Sequence, residues 1–250
     1  MSITSAEEFE KLKACGAIVA KALRAMMAQV RPGITTAELS EIGAKVLEEN
    51  GARSSPPMVY GFPGDVCISV NEEVVHGVPG ERVLRAGDLL KLDLTAEKDG
   101  YHTDSAVTIE VPPAQSAGPG RDLARCAERA FRQSLTAARA GNRTKEIGRA
   151  VEREVRRRGF SVVRELGGHG VGRTIHENPS VPNWADPTAR EILTEGLVLT
   201  IEPIITAGNG NVWTDRDGWT VKTSDGSLAA HYEHTLVITK SAPILLTAAS

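Results

Sequence analysis

Residues 89–111, LLKLDLTAEKDGYHTDSAVTIEV, read as two β-strands joined at EKDG, residues 97–100. Side chains alternate across a strand, and cross-strand partners share a face. In a bulge-free hairpin with an even loop, partner numbers sum to an odd value. Asp93 and Asp104 therefore fall on one face, with Lys91, Thr95, His102 and Thr108. The opposite face takes Leu90, Leu92, Leu94, Val107, Ile109 and Val111. The apolar face is expected to pack on helices, and the other to point two carboxylates into a polar space. Taken alone, this hairpin favours a solvated outer face over a site.

Upstream, residues 5–30 carry Phe9, Leu12, Ala17, Val19, Ala20, Leu23 and Met27 at helical spacing. After Gly33, Thr35 and Glu38 make a capping-box pattern, and Leu39, Ile42, Val46 and Leu47 form one stripe ending at Asn50-Gly51. Downstream, PPAQSAGPG at 112–120 reads as an exposed connector, followed by helices over 121–140 and 143–158. Leu197–Ile201 and Leu236–Ile238 are β-prone.

Gly33–Gly51 and Gly141–Gly159 match at an offset of 108, with Thr36 and Glu38 meeting Thr144 and Glu146. AGDLLKLD at 86–93 matches EGLVLTIE at 195–202 at an offset of 109, which lays Asp93 on Glu202. A repeat this long points to a duplicated α/β half rather than a solenoid. The expected organisation is one domain, 1–250, with halves at roughly 5–111 and 121–240.

Glu202 lies within the apolar run LVLTIEPII, where a carboxylate is costly unless paired or coordinated. Glu233 opens a second strand in HYEHTLVI, and His169 lies among close-approach glycines in GGHGVG at 167–172. Asp93, Asp104, Glu202 and Glu233 with His169 offer hard oxygens and one nitrogen. That set suits a pair of divalent ions, Mn, Fe, Co or Zn, better than one structural zinc. Two ions ~3.5–4 Å apart share carboxylates and activate a water in dinuclear hydrolases.

These blocks, together with GFPGDVCISVNEEVVHGVPG at 61–80, GGHGVGRTIHENP at 167–179 and DGWTVKT at 217–223, resemble the bacterial type I methionine aminopeptidases over essentially the whole chain. The resemblance implies an α+β pita-bread fold of two pseudo-symmetric halves, with a central antiparallel sheet covered by helices. It implies that Asp93 chelates one metal, that Asp104 and Glu233 bridge both, and that His169 and Glu202 complete the other site. Glu202 would also act as general base and acid. His76 and His176 would bind the scissile amide, and Phe62, Cys67 and Trp219 would line the methionine pocket. The sequence departs from that pattern at Val59 and Ile175, where relatives often carry aromatics, and at Tyr60, which replaces a frequent His. These bear on breadth of specificity. His102 is expected at the surface or behind the ligands, and His231 and His234 behind the ligands at most.

The implied reaction is removal of the initiator methionine from nascent chains, favouring a small second residue. Two other readings compete. A proline-specific aminopeptidase of the same fold usually carries an extra N-terminal domain. A non-catalytic binder of ribosome or RNA has no need of four converging acids. Glu202 and Glu233 are only 31 residues apart, too close for the helical insertion of the type II enzymes.

With 29 basic and 32 acidic residues the net charge is −3, which excludes general nucleic-acid coating. Yet 121–158 holds eleven Arg and one Lys against five acids, a local +7. That segment reads first as a solvated helical face and second as a dock for ribosomal RNA. Three scattered cysteines suit a reducing compartment. No signal peptide or membrane-spanning stretch is read, so a cytoplasmic protein is expected, and the resemblance implies a monomer.

Overall fold

A computed structural model describes residues 1–113 and 118–248. Five helices run α1 Ala6–Gln29, α2 Thr36–Glu49, α3 Ser55–Tyr60, α4 Pro119–Ser134 and α5 Thr144–Arg157. The first half contributes strands β1 Arg53–Ser54, β2 Cys67–Val70, β3 Glu73–Val75, β4 Leu89–Lys98 and β5 Tyr101–Glu110. The second contributes β6 Ser161–Val162, β7 Gly167–Gly170, β8 Glu177–Pro182, β9 Val198–Ile201 and β10 Ile204–Thr206. It continues with β11 Val212–Thr214, β12 Val221–Thr223, β13 Ala229–His231, β14 Glu233–Val237 and β15 Ile244–Leu245.

The central nine-stranded sheet runs β1-β4-β5-β14-β9-β7-β8, with β2 beside β4 and β15 beside β14, and every pairing in it is antiparallel. The β4–β5 hairpin is longer than the sequence reading, because only Asp99 and Gly100 turn, both at positive φ. Leu90, Leu92, Leu94 and Ala96 pack with Leu23, Met26, Leu39 and Leu47 under α1 and α2. In the second half Leu199, Ile201 and Leu236 pack with Phe131 and Ile147 of α4 and α5.

The duplicated halves are visible in the backbone. α2 and α5 start and stop at the same offset of 108, and in each the third helical residue, Glu38 or Glu146, accepts from the cap residue's backbone amide, at Thr35 or Arg143. Gly33 and Gly141 take φ of +92° and +94°, and Gly87 and Gly196 take +85° and +83°, so each pair makes the same turn. β5 and β14, the equivalent strands, pair at the centre of the sheet.

Several features differ from the sequence reading. α4 begins at Pro119, where proline suits a first helical turn, and ends at Ser134 in a run of turns rather than at 140. Of the proposed connector, Pro112 and Pro113 are exposed, and 114–117 lie outside the described residues. α3 was not foreseen: Pro56 and Pro57 enter its first turn, and Gly61 at φ +71° ends it. Ala17, counted in the apolar stripe of α1, faces solvent.

Candidate active site

In the observed register Asp93 faces Ala106 and Thr95 faces Asp104, so the two aspartates are diagonal neighbours on one face. That face is not solvated, contrary to the reading of the hairpin alone. Asp104, Glu97 and His102 are each less than a tenth exposed, and Lys91 is 1% exposed. The second half covers it. Thr235 clamps Asp104, its hydroxyl donating to the Asp104 carbonyl and accepting from the Asp104 amide, both at 2.8 Å. Ser105 Oγ donates to the Glu233 carbonyl at 2.7 Å.

His234 faces Ile201 across β14 and β9, so one step further the register sets Glu233 beside Glu202. His169 arrives on β7. Its glycines let the backbones close: a Cβ on Gly168 would stand 2.4 Å from the Thr200 carbonyl oxygen, and one on Gly170 2.2 Å from that of Asn178. His169 Nδ1 lies 2.9 Å from the Gly170 carbonyl oxygen, which can only accept, so the proton is on Nδ1 and Nε2 is free as a ligand. That Nε2 is 3.6 Å from Glu202 Oε1.

The electrostatics follow from burying four acids together. Burial pushes the Asp93 carboxyl well above the usual range, and the charges of Asp104 and Glu202 add to it. Glu233 is raised the same way, and Asp104 is raised by burial against the opposing pull of His169. Glu202 differs. Burial acts to raise it, but His231, His169 and His176 outweigh that and hold it below the ordinary value. Asp104 Oδ1, Glu233 Oε1 and both ring nitrogens of His231 are buried without a hydrogen-bond partner among the described residues. Uncompensated polar atoms at this density are expensive. Divalent cations would supply the missing partners, so the donor set fits the metals expected from the sequence. Donor atoms of Asp104, His169 and Glu233 lie within 4.8 Å of one another, as do those of Glu202, His231 and Glu233.

All five candidate ligands open into one cavity of about 310 Å³, and so do His76, His176, Phe62, Cys67 and Trp219. Phe62 and Trp219 meet edge to face, with centroids 5.4 Å apart at 86°. Cys67 faces Asp93 across β2 and β4, and burial, with the charge of Asp93 added, keeps its thiol protonated. All three cysteines are free and buried. His76 projects from a strained turn at φ +56°, followed by Gly77, whose Cβ would stand 2.3 Å from the Ile68 carbonyl oxygen. Burial lowers the pKa of His76, and it lowers His176 to about 4 with help from His169 and His76. Both rings are therefore neutral at pH 7. Tyr60 Oη lies 2.5 Å from His176 Nδ1, and the His169 and His176 ring centroids lie 4.1 Å apart with the planes tilted by 53°.

Val59 does not belong to the cavity. It is exposed on α3, where Pro56 and Tyr60, four residues apart, share the lining face. Ile175 does line it. His102 is buried, with Nδ1 2.9 Å from Ser55 Oγ, not at the surface. His231, expected behind the ligands at most, is 2% exposed, and its Nε2 stands 3.4 Å from Glu202 Oε2 and 3.6 Å from Glu233 Oε2.

Residues 10–240 match the sequence pattern of metallopeptidase family M24. The chain belongs to that family. Among curated M24 relatives, methionine aminopeptidase 2 of Bacillus subtilis is 43% identical and the match covers 99% of both chains. A methionine aminopeptidase of Clostridium perfringens is 40% identical over 96% of both. A crystal structure of methionine aminopeptidase from Thermotoga maritima superposes with a TM-score of 0.95 at 34% identity, covering 100% of both chains. A prolidase from Pyrococcus furiosus gives 0.79 at 24% identity, covering 99% of this chain and 66% of that one, and shares the fold alone. These neighbours are the pita-bread architecture expected from the sequence.

Proposed function

We propose that this M24 chain is a methionine aminopeptidase, removing N-terminal methionine from peptides and nascent proteins with a preference for a small second residue. One observation carries the reading: a carboxylate and imidazole cluster and an aromatic-walled slot share one cavity. Asp93 would hold one divalent ion, Asp104 and Glu233 both, and His169 and Glu202 the other, with Co, Mn, Fe or Zn compatible with the donors. Bound there, such ions acidify water and polarise a carbonyl oxygen.

The chain's own groups do the rest. Glu202, whose pKa stays below the ordinary carboxylate value, accepts a proton from the attacking water and returns it to the leaving amine. His76 and His176, neutral at pH 7, donate hydrogen bonds to the scissile amide and to the oxyanion that develops. A Tyr60 hydroxyl that donates to Nδ1 of His176 would leave the His176 proton on Nε2, the nitrogen free to donate to substrate. Phe62, Cys67, Trp219 and Ile175 enclose the thioether side chain, a polarisable group suited to aromatic and sulfur walls. The acidic end receives the substrate's free α-amino group, which restricts cleavage to the first bond.

The test is a peptide panel, X-Ala-Ser with X varied, assayed in each of the four metals. Release of X only where X is methionine supports the reading. Faster release from an X-Pro series, or no cleavage by folded protein in any metal, contradicts it.

We further infer a cytoplasmic monomer that docks transiently on ribosomes through residues 121–158. Arg125 and Arg129 on α4 and Arg149 and Arg153 on α5 are exposed, while Glu128, Glu152 and Glu154 pair with other arginines of the segment. Co-sedimentation with ribosomes that fades as salt rises supports this. Its absence at low salt contradicts it.

A further inference from the structure

His231 is the polar side chain in the buried cluster that the proposed ligand set leaves without a task. It sits at the end of β13, two residues before Glu233, and its backbone is fixed on both sides by Thr108. The Thr108 hydroxyl donates to the His231 carbonyl at 2.7 Å and accepts from the His231 amide at 2.8 Å. The ring is therefore delivered into the cluster by a rigid strand. Neither ring nitrogen has a hydrogen-bond partner among the described residues.

The spacings around Nε2 are informative. A hydrogen bond would draw nitrogen and oxygen to ~2.7–3.2 Å. Two donors bound to one ion at ~2.1 Å with a near-tetrahedral angle stand about 3.4 Å apart. His231 Nε2 is 3.4 Å from Glu202 Oε2 and 3.6 Å from Glu233 Oε2. The candidate ligand pair His169 Nε2 and Glu202 Oε1 shows the same spacing, 3.6 Å. Glu202 is thus bracketed, one oxygen toward each imidazole.

We propose that His231 is a direct metal ligand through Nε2, sharing an ion with Glu202 and Glu233. The centre then holds two imidazoles rather than one. A second neutral nitrogen adds no charge to the four carboxylates and shifts the preference toward ions of borderline softness, such as Zn, Co or Fe, over Mg or Ca. The proposal rests on the metallopeptidase reading and extends it to a residue outside that ligand set.

The test is NMR on the full chain with nitrogen-labelled histidines, loaded with NMR-active cadmium as a borderline probe ion. A scalar coupling between cadmium and a ring nitrogen reports a direct bond. Two coupled imidazoles in the wild type, and one in His231→Gln, are the expected result. Bound cadmium with a single coupled imidazole in the wild type, assigned to His169, overturns the proposal and leaves the proposed function intact. A folded wild type that binds no cadmium, manganese or zinc overturns both. The wild-type count decides the matter even if the variant does not fold.

Discussion

Glu202 stands between His169 at 3.6 Å and His231 at 3.4 Å, and its pKa stays below the ordinary value against the pull of burial. The role as proton carrier needs the ionised form, and a neutral amide cannot replace it. Glu202→Gln is therefore expected to keep the fold by circular dichroism and to lose ~10²–10⁴-fold in kcat on Met-Ala-Ser. Unchanged turnover would remove Glu202 from the mechanism. His234, on the opposite face of the sheet, governs stability instead. Burial, with the charge of Arg132 added, lowers its pKa from 6.5 to about 4. Between those values the unfolded chain binds a proton that the folded chain refuses. His234 stabilisation is thus complete above about pH 6.5 and declines as pH falls toward 4. Urea denaturation across that window should show a shallower decline in His234→Gln than in the wild type. Among single residues, the acids were legible because a charge inside LVLTIEPII or on a leucine-backed hairpin demands an explanation. His231 was not, because its value depends on β13 and β14 meeting β9, a non-local pairing that periodicity does not encode. Val59 was misplaced for a related reason: a six-residue helix rotates it away from the cavity that Tyr60 enters.

At the scale of elements, the site depends on how closely β7 and β9 approach. Gly168 has no room for a methyl group, since the Thr200 carbonyl lies where it would go. Gly168→Ala is expected to cost ~1–3 kcal/mol in urea unfolding, as overpacking does. It should also weaken metal binding, because His169 rides on the same strand and its amide donates to Thr200 Oγ1 at 3.1 Å. Wild-type stability and metal affinity in that variant would refute the close-approach argument. The elements themselves were largely readable. The capping box at Thr35 and Glu38, the shared face of Asp93 and Asp104 on the β4–β5 hairpin and the helix-facing leucines all follow from local spacing. What local spacing missed lies where tertiary context overrides propensity, as at the prolines of α3 and the turns that shorten α4.

Across the whole molecule, each half supplies two of the four acids, and the halves join at β5 and β14 through Thr235, Ser105 and Glu233. Neither half alone covers its own polar face. A chain cut within the 112–118 connector is expected to regain fold and metal binding when both fragments are co-expressed. Either fragment alone should do neither, as read by circular dichroism and metal content. The repeat legible at offsets of 108 and 109 is the sequence trace of this arrangement. It predicted two halves but could not show which strands pair at their junction. The central claim is that these acids and imidazoles exist to hold the ions that make the cavity hydrolytic. The most direct measurement titrates metal-depleted protein with Mn(II) and follows methionine released from Met-Ala-Ser against ions bound. The account predicts no release without metal and a rise that tracks occupancy. Full cleavage by the metal-free protein, or none at saturation, would contradict it.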